Sequence, residues 1–186
     1  MEEVAAVGNE HRLTIALPSY LAEVLVPRIA ATAGPWIRAV SAPPSLFSTL
    51  ARGKIFDAAL VLGSAGDLPD GWSAEPVGEL RHGLFASPSL VTLLGDRPTL
   101  EDVLRRRFVG ASYQALGRLT AGDDLCPLGR GARAIGHEVE TMRLAARVAA
   151  ETDQLVYGPT IAAASLVAEG VLVEVPGWGR SEALSL

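Results

Sequence analysis

Residues 12–62 read RLTIALPSYLAEVLVPRIAATAGPWIRAVSAPPSLFSTLARGKIFDAALVL, and short apolar runs alternate there with longer amphipathic segments. Three apolar runs bounded by proline, glycine or charge predict buried strands. These runs are 13–17, 36–40 and 56–62. The segments between them, 20–33 and 46–52, predict helices, and Pro27 inside the first predicts a kink or an early break. This order of elements is typical of a parallel α/β unit.

The rest of the chain continues the alternation less regularly. Further strands are predicted at 83–88, 107–111, 154–157 and 172–175, with 183–186 as a candidate last strand. Thr99, followed by two acids, predicts a helix start, and helices are also predicted at 139–151 and 161–169. Segment 114–134 is rich in Gly, Leu and Arg and predicts little beyond a broken helix. Residues 1–11 have no clear period and are interpreted as a linker or a cloning remnant.

Composition and charge exclude several classes of protein. The 186 residues carry a formal net charge of −5, which argues against a segment that grips nucleic acid, because phosphates need a clustered positive face. The basic run 105–107 is interpreted as a solvated helix end. The single cysteine, Cys126, excludes an internal disulfide, and no apolar run reaches the ~20 residues of a membrane helix. We therefore expect a cytoplasmic protein with no membrane partner.

Three stretches of sequence carry a family resemblance. Residues 13–20 (LTIALPSY) precede a helix ending in VPRI, and 45–61 (SLFSTLARGKIFDAALV) are similar to S-x-x-L-x-x-x-L-x-x-G-x-L-D-L-A-I-V, with Phe56 before the Asp in place of Leu. Residues 86–88 (ASP) and 98–102 (PTLED) resemble a third motif of the same family. Together they resemble the effector-binding domain of LysR-type transcriptional regulators. Residues 139–159 add a weaker match that lacks two usual glycines.

This resemblance implies an α/β fold of the two-lobed, periplasmic-binding-protein-like (type 2) kind. Each lobe would hold a mostly parallel sheet flanked by helices, and two crossover strands would join the lobes. Lobe I would comprise 12–86 plus 160–186, and lobe II 87–159. The family's DNA-binding winged helix-turn-helix is absent from this chain, so we expect an excised or truncated sensor domain. A homodimer is implied, or a tetramer in the full-length protein, with DNA bound only through the missing domain.

Hydroxyl-bearing residues follow several predicted strands. Ligands of open α/β sheets bind at the carboxyl ends of strands, where helix N-termini point and can bind anions. If the two lobes face each other, these residues converge on one cleft, which would suit a small carboxylate or another polar anion. The candidate ligand-binding residues are Pro18, Ser19, Tyr20, Ser45, Ser87, Ser112, Tyr113, Thr141 and Tyr157.

Each candidate residue also has a purely structural interpretation. Ser19 and Ser45 are good helix N-caps, and Thr141 is a typical helix-start residue. Tyr113 and Tyr157 fit a core with satisfied hydroxyls equally well. Glu140 would repel an anion if it faced the cleft.

The leading hypothesis is a regulatory sensor of a small-molecule effector, without a cofactor and without catalysis. Cys126 has no histidine near it in sequence, and the acids at 123–124 lack further ligands at metal-binding spacing. No nucleotide-binding, zinc-protease or hydrolase motif is present. The first alternative is a stand-alone small-molecule binding protein of the same fold. The second is an enzyme built on that fold, which would need clustered acids and bases in the cleft.

Overall fold

The computed structural model describes residues 12–32, 36–41, 46–62, 68–115, 118–122 and 124–186. Within these ranges the chain forms a parallel, an antiparallel and a mixed sheet, with helices packed against them.

The parallel sheet lies in the N-terminal part and has the strand order β2-β1-β3. Its elements are β1 (Arg12–Ala16), α1 (Ser19–Ala31), β2 (Trp36–Val40), α2 (Phe47–Arg52) and β3 (Ala58–Ala59). Successive side chains of a strand face opposite sides of the sheet. Ile15 accordingly packs with Leu21 of α1, whereas Ala16 packs with Phe47 of α2. The predicted parallel α/β unit is confirmed.

Two details of this part differ from the sequence-based expectations. Helix α1 continues past Pro27 to Ala31, so the predicted early break is wrong. Pro27 lies on an exposed side, where water can bind the carbonyl that loses its helical partner. The predicted strand 56–62 is divided between two sheets, because β3 pairs with β1, whereas β4 (Val61–Leu62) pairs with β11 (Arg180–Ser185).

The antiparallel sheet is built around the long strand β5 (Pro76–Ala86). Its other strands are β4, β9 (Val156–Pro159), β10 (Val173–Glu174) and β11 (Arg180–Ser185). Strand β11 is longer than the predicted 183–186, and it pairs with β5 from Arg180↔His82 onwards. Strand β9 pairs with residues 82–85 of β5. The end of β5, which leads into residues 87–155, therefore runs beside β9, which follows them.

The mixed sheet has the order β7-β6-β8, with β6 and β8 parallel and β6 and β7 antiparallel. Its strands are β6 (Arg107–Ala115), β7 (Arg118–Ala121) and β8 (Ala134–Val139). The helices of this half are α3 (Pro88–Leu94), α4 (Leu100–Leu104), α5 (Met142–Glu151) and α6 (Thr160–Ala168). Thr99 caps α4 in a capping box with Asp102, which confirms the predicted helix start.

The prediction of a broken helix at 114–134 is wrong. The described part of this segment holds the end of β6, strand β7, a short 3₁₀ turn at Arg130–Ala132 and the start of β8. The sequence of this segment did not reveal strand β7, because each of its four residues is exposed. An exposed hairpin strand lacks the apolar alternation by which a half-buried strand is recognised.

Candidate functional site

The first candidate residues lie where β1 passes into α1. Pro18 occupies the N-cap position and Ser19 is the first helical residue, so the interpretation of Ser19 as an N-cap is wrong. The Pro18 carbonyl accepts hydrogen bonds from the N–H groups of Leu21 and Ala22, both at 3.0 Å. No side chain caps this helix. An uncapped start leaves backbone N–H groups that can bind an anion.

Ser112 and Tyr113 lie in the second half of β6, opposite Ala121 and Thr120 of β7. Both side chains are half-buried. The Tyr113 ring packs over Gly122, where an added Cβ would lie 3.0 Å from the tyrosine hydroxyl oxygen. A side chain at position 122 would therefore displace the ring.

Tyr20 of α1 and Tyr113 of β6 lie close enough to interact electrostatically. Burial, and to a smaller extent the neighbouring Tyr113, raises the pKa of the Tyr20 hydroxyl. A tyrosine hydroxyl is protonated at neutral pH even at its ordinary pKa of 10.0, so the Tyr20 hydroxyl can donate a hydrogen bond. Two candidate residues thus interact, one on helix α1 and the other in strand β6 of the mixed sheet.

The start of α5 lies beside the same region. Thr141 is the N-cap of α5, and its Oγ1 accepts a hydrogen bond from the N–H of Leu144 at 3.2 Å, so the helix-start interpretation is confirmed. Arg143, in the first turn, reaches across to α1, and its Nη1 lies 2.5 Å from Oε2 of Glu23. Glu23, Thr141 and Arg143 line a groove of about 350 Å³ that continues along α5 and α6. Contact of Thr141 with a ligand stays a prediction.

Three candidate residues lie elsewhere. Ser45 lies outside the described residues. Ser87 precedes α3, is buried, and its Oγ lies 3.1 Å from Oγ of Ser89. Tyr157 of β9 is 1% exposed and packs in a core cluster with Leu84 and Phe108. A role for these residues in ligand binding stays a prediction.

Tyr157 belongs to a buried group of polar side chains at the β5–β9 pairing. Its ring stacks on that of His82, with centroids 6.1 Å apart and planes inclined by 13°. Its hydroxyl is buried and has no hydrogen-bond partner among the residues that the structure describes. Burial, with a smaller effect of the nearby Cys126, raises the pKa of Tyr157 to about 12. Burial also lowers the pKa of His82 and raises that of Cys126. A protonated Cys126 thiol is a poor nucleophile.

An ion pair lies next to this group. Arg133 binds the Asp124 carboxylate with both terminal nitrogens, at 2.6 and 2.9 Å, and the two side chains are only 2% and 5% exposed. The Arg133 guanidinium carbon also lies 5.3 Å from the centre of the Phe108 ring. Asp124 additionally accepts the backbone N–H of Cys126 at 3.1 Å. The pair therefore ties the segment after β7 to the core of the mixed sheet.

Metal sites and membrane-spanning helices are two further features to consider in the described residues. In the described part of the chain, no group of three His, Cys, Asp or Glu side chains is arranged to hold a metal ion. None of the helices within the described ranges is long and apolar enough to span a membrane.

Comparison with known proteins identifies the fold. No protein-family model and no curated protein matches the sequence. Among solved structures, a probable transcriptional regulator from Pseudomonas aeruginosa is 23% identical, covers 94% of this chain with a TM-score of 0.73, and is itself covered over 61% of its length. ArgP from Mycobacterium tuberculosis is 21% identical, with 97% of this chain and 62% of that chain covered and a TM-score of 0.72. The CrgA regulatory domain, from a LysR-type transcriptional regulator of Neisseria meningitidis, is 14% identical, with 95% and 87% covered and a TM-score of 0.67.

The chain thus has the two-lobed, periplasmic-binding-protein-like α/β fold. More specifically, it has the fold of the regulatory domain of LysR-type transcriptional regulators. The predicted fold class is confirmed, and the structure adds the antiparallel sheet around β5 to the expected parallel pairing. The chain spans about three-fifths of the full-length regulators that it matches, at 61% and 62%.

Sequence reasoning missed the charged residues of the site. Glu23 lies four residues after Ser19 on α1, and such spacing places both residues on one helix face, so helical periodicity alone could have identified it. Arg143 lies two residues after Thr141, which is also within reach of the helix start. No local pattern links Glu23 with Arg143, because 120 residues separate them.

Proposed function

We propose that this chain is the effector-binding domain of a LysR-type transcriptional regulator and that it binds a small anion between the α1 start and the β6–α5 edge. The observation that carries the proposal is the ion pair of Arg143 and Glu23, 2.5 Å long, which holds the first turn of α5 against the helix that carries Ser19 and Tyr20. The hydroxyl groups of Tyr20 on α1 and Tyr113 on β6, with the backbone N–H groups at the uncapped start of α1, supply hydrogen-bond donors for a carboxylate. Donors without a matching acid–base pair favour binding over catalysis.

The proposed lobes are 12–86 plus 160–186 and 87–159. On this division, Glu23–Arg143 and Tyr20–Tyr113 are contacts between the lobes, and β5 and β9 are the crossover strands. A ligand that contacts both lobes stabilises the arrangement in which both sets of contacts form, and thereby shifts the population of lobe arrangements. Cytoplasmic regulation of transcription follows if a DNA-binding domain is attached to this chain in the full-length protein.

Self-association belongs to the same proposal. One pairing surface would lie on the helix after Ser45, which is α2, and the other in the second lobe. Homodimerisation, or a tetramer in the full-length protein, would then convert a change in lobe arrangement into a change in spacing between DNA-binding domains.

Thermal-shift measurements against small carboxylates, amino acids and aromatic acids test the proposal. A ligand that binds only the folded state raises the melting temperature by mass action. Ser112→Ala, Ser19→Ala and Tyr113→Phe should each weaken binding about tenfold, if each removes a hydrogen bond of about 1.4 kcal/mol to a charged ligand.

Ser181→Ala on the exposed part of β11 is the matched control and should leave affinity unchanged. A monomeric native mass would count against the pairing surfaces alone. No shift with any anion, or equal affinity for wild type and all three site variants, would overturn the proposed site. If the chain binds an anion and the intact protein carries no DNA-binding domain, the result would favour a stand-alone small-molecule binding protein instead.

A further inference from the structure

A second cavity, of about 510 Å³, lies apart from the proposed cleft. It is bounded by α2, by β3 and β4, and by the segment 68–75. Phe47 and Ala51 line it and pack on the side of the parallel sheet that carries Ala16, whereas α1 packs on the side of Ile15. The cavity and the start of α1 are therefore separated by the sheet. Its volume lies within the range of about 300–1,000 Å³ that is usual for small-molecule sites.

Aromatic side chains form one wall of this cavity. Phe56 and Trp72 meet edge to face, with centroids 5.1 Å apart, and Phe47 meets Phe56 in the same way at 6.3 Å. Both phenylalanines are buried, whereas Trp72 is only partly buried. The face of an aromatic ring carries partial negative charge and attracts cations.

The charged groups of the lining have one sign. Asp57 and Glu75 line the cavity, and no Lys, Arg or His is among the described residues that do so. One oxygen of Asp57, Oδ2, accepts the backbone N–H of Thr14 at 2.7 Å, which orients the carboxylate. Both acidic residues are exposed at the rim of the cavity, where two carboxylates attract a cation and repel an anion.

We propose that this cavity binds a small organic cation with an aromatic or apolar body, such as an arylalkylamine. The body would pack against Trp72 and Phe56, and the ammonium group would lie near Asp57 and Glu75. The site would thus select the charge opposite to that proposed for the cleft. It does not depend on the cleft being occupied.

Fluorescence of Trp72 tests this site directly. The chain has three tryptophans, so Trp36→Phe with Trp178→Phe leaves Trp72 as the single emitter. Titration with 2-phenylethylamine should change its emission saturably, whereas 3-phenylpropionate, of similar shape and opposite charge, should not. Asp57→Asn with Glu75→Gln should weaken the amine at least tenfold, and Ser48→Leu should weaken it by filling the cavity.

The control is Glu79→Gln, which removes one exposed carboxylate from β5 outside the cavity and should leave amine affinity unchanged. Circular dichroism of each variant confirms that the fold is retained. Equal binding of the amine and the carboxylate would overturn the proposal, as would amine binding that neither the charge variants nor Ser48→Leu weakens. Loss of amine binding in Ser112→Ala alone would assign the amine to the cleft and would likewise overturn it.

Discussion

Two arginine–carboxylate pairs occupy contrasting environments in this molecule. Arg133 and Asp124 are 2% and 5% exposed, and two hydrogen bonds join them. Arg143 and Glu23 are 60% and 41% exposed, and a single hydrogen bond joins them across the α1–α5 groove. Removing one partner of a buried pair leaves an uncompensated charge, whereas water solvates the remaining partner of an exposed pair. The first pair therefore maintains the fold, and the second can open and close at little cost.

The largest expected effect is that of Asp124→Asn. The substitution keeps the shape of the side chain but removes the negative charge that binds the buried Arg133 guanidinium through two hydrogen bonds, which should lower the free energy of unfolding by roughly 3–5 kcal/mol. Urea denaturation with an unchanged m-value is the measurement. The exposed Asp153→Asn is the control and should be near neutral. A loss for Asp124→Asn as small as that of the control would show that burial of the pair does not govern its contribution.

An intermediate effect is expected from pH at His82, which is 2% exposed and lies beside the buried pair. Burial lowers the pKa of His82, so the unfolded chain binds this proton more readily than the folded one. The His82 contribution to stability is therefore fully present above the ordinary histidine pKa of 6.5 and is lost as the pH falls through the lowered value. The loss should be smaller than that caused by Asp124→Asn.

Urea midpoints of wild type and His82→Gln, compared between pH 7.5 and pH 5, measure this contribution. The variant should lose less stability than wild type over that interval, because it has no imidazole to protonate. Parallel loss in both proteins would assign the pH dependence to other groups. Tyr157→Phe serves as the packing control. It keeps the ring that stacks on His82 and removes only the buried hydroxyl, which has no hydrogen-bond partner among the described residues, so it should not change the pH dependence.

The smallest expected effect is that of Glu23→Gln at the exposed pair. A double-mutant cycle with Arg143→Gln should give a coupling close to zero in the free energy of unfolding, and added salt should leave the cycle unchanged. Thermal unfolding of the four proteins is sufficient for the measurement. A coupling as large as the effect of Asp124→Asn would contradict the proposed difference between the two pairs.

The sequence predicted the elements whose patterns are local. Strand β1, helix α2 with its glycine at position 53, and the helix start at Thr99 follow from apolar runs, caps and breakers within a few residues of each other. Tyr20 and Tyr113 were chosen as candidates because parallel strands have a defined ligand-binding end, and their contact with a ligand stays a prediction.

Local patterns failed where a distant partner determines the structure. Strand β4 could not be separated from β3, because its partner β11 follows about 120 residues later, with Leu184 opposite Leu62. The hairpin strand β7 was missed because its exposed residues carry no apolar alternation. The sequence around Asp124 gave no sign of a buried ion pair, because its burial depends on Arg133 and on the core around Phe108.

The residues themselves indicated most of the strands and helices, the parallel α/β beginning of the chain and the family resemblance, since local periodicity and motif spacing determine them. Which charges are buried, which tyrosines approach each other and where a cavity remains depended on contacts between distant segments. Those contacts form only when the sheets pack. Burial then changes the free energy of a charge or a hydroxyl group far more than its neighbours in sequence do.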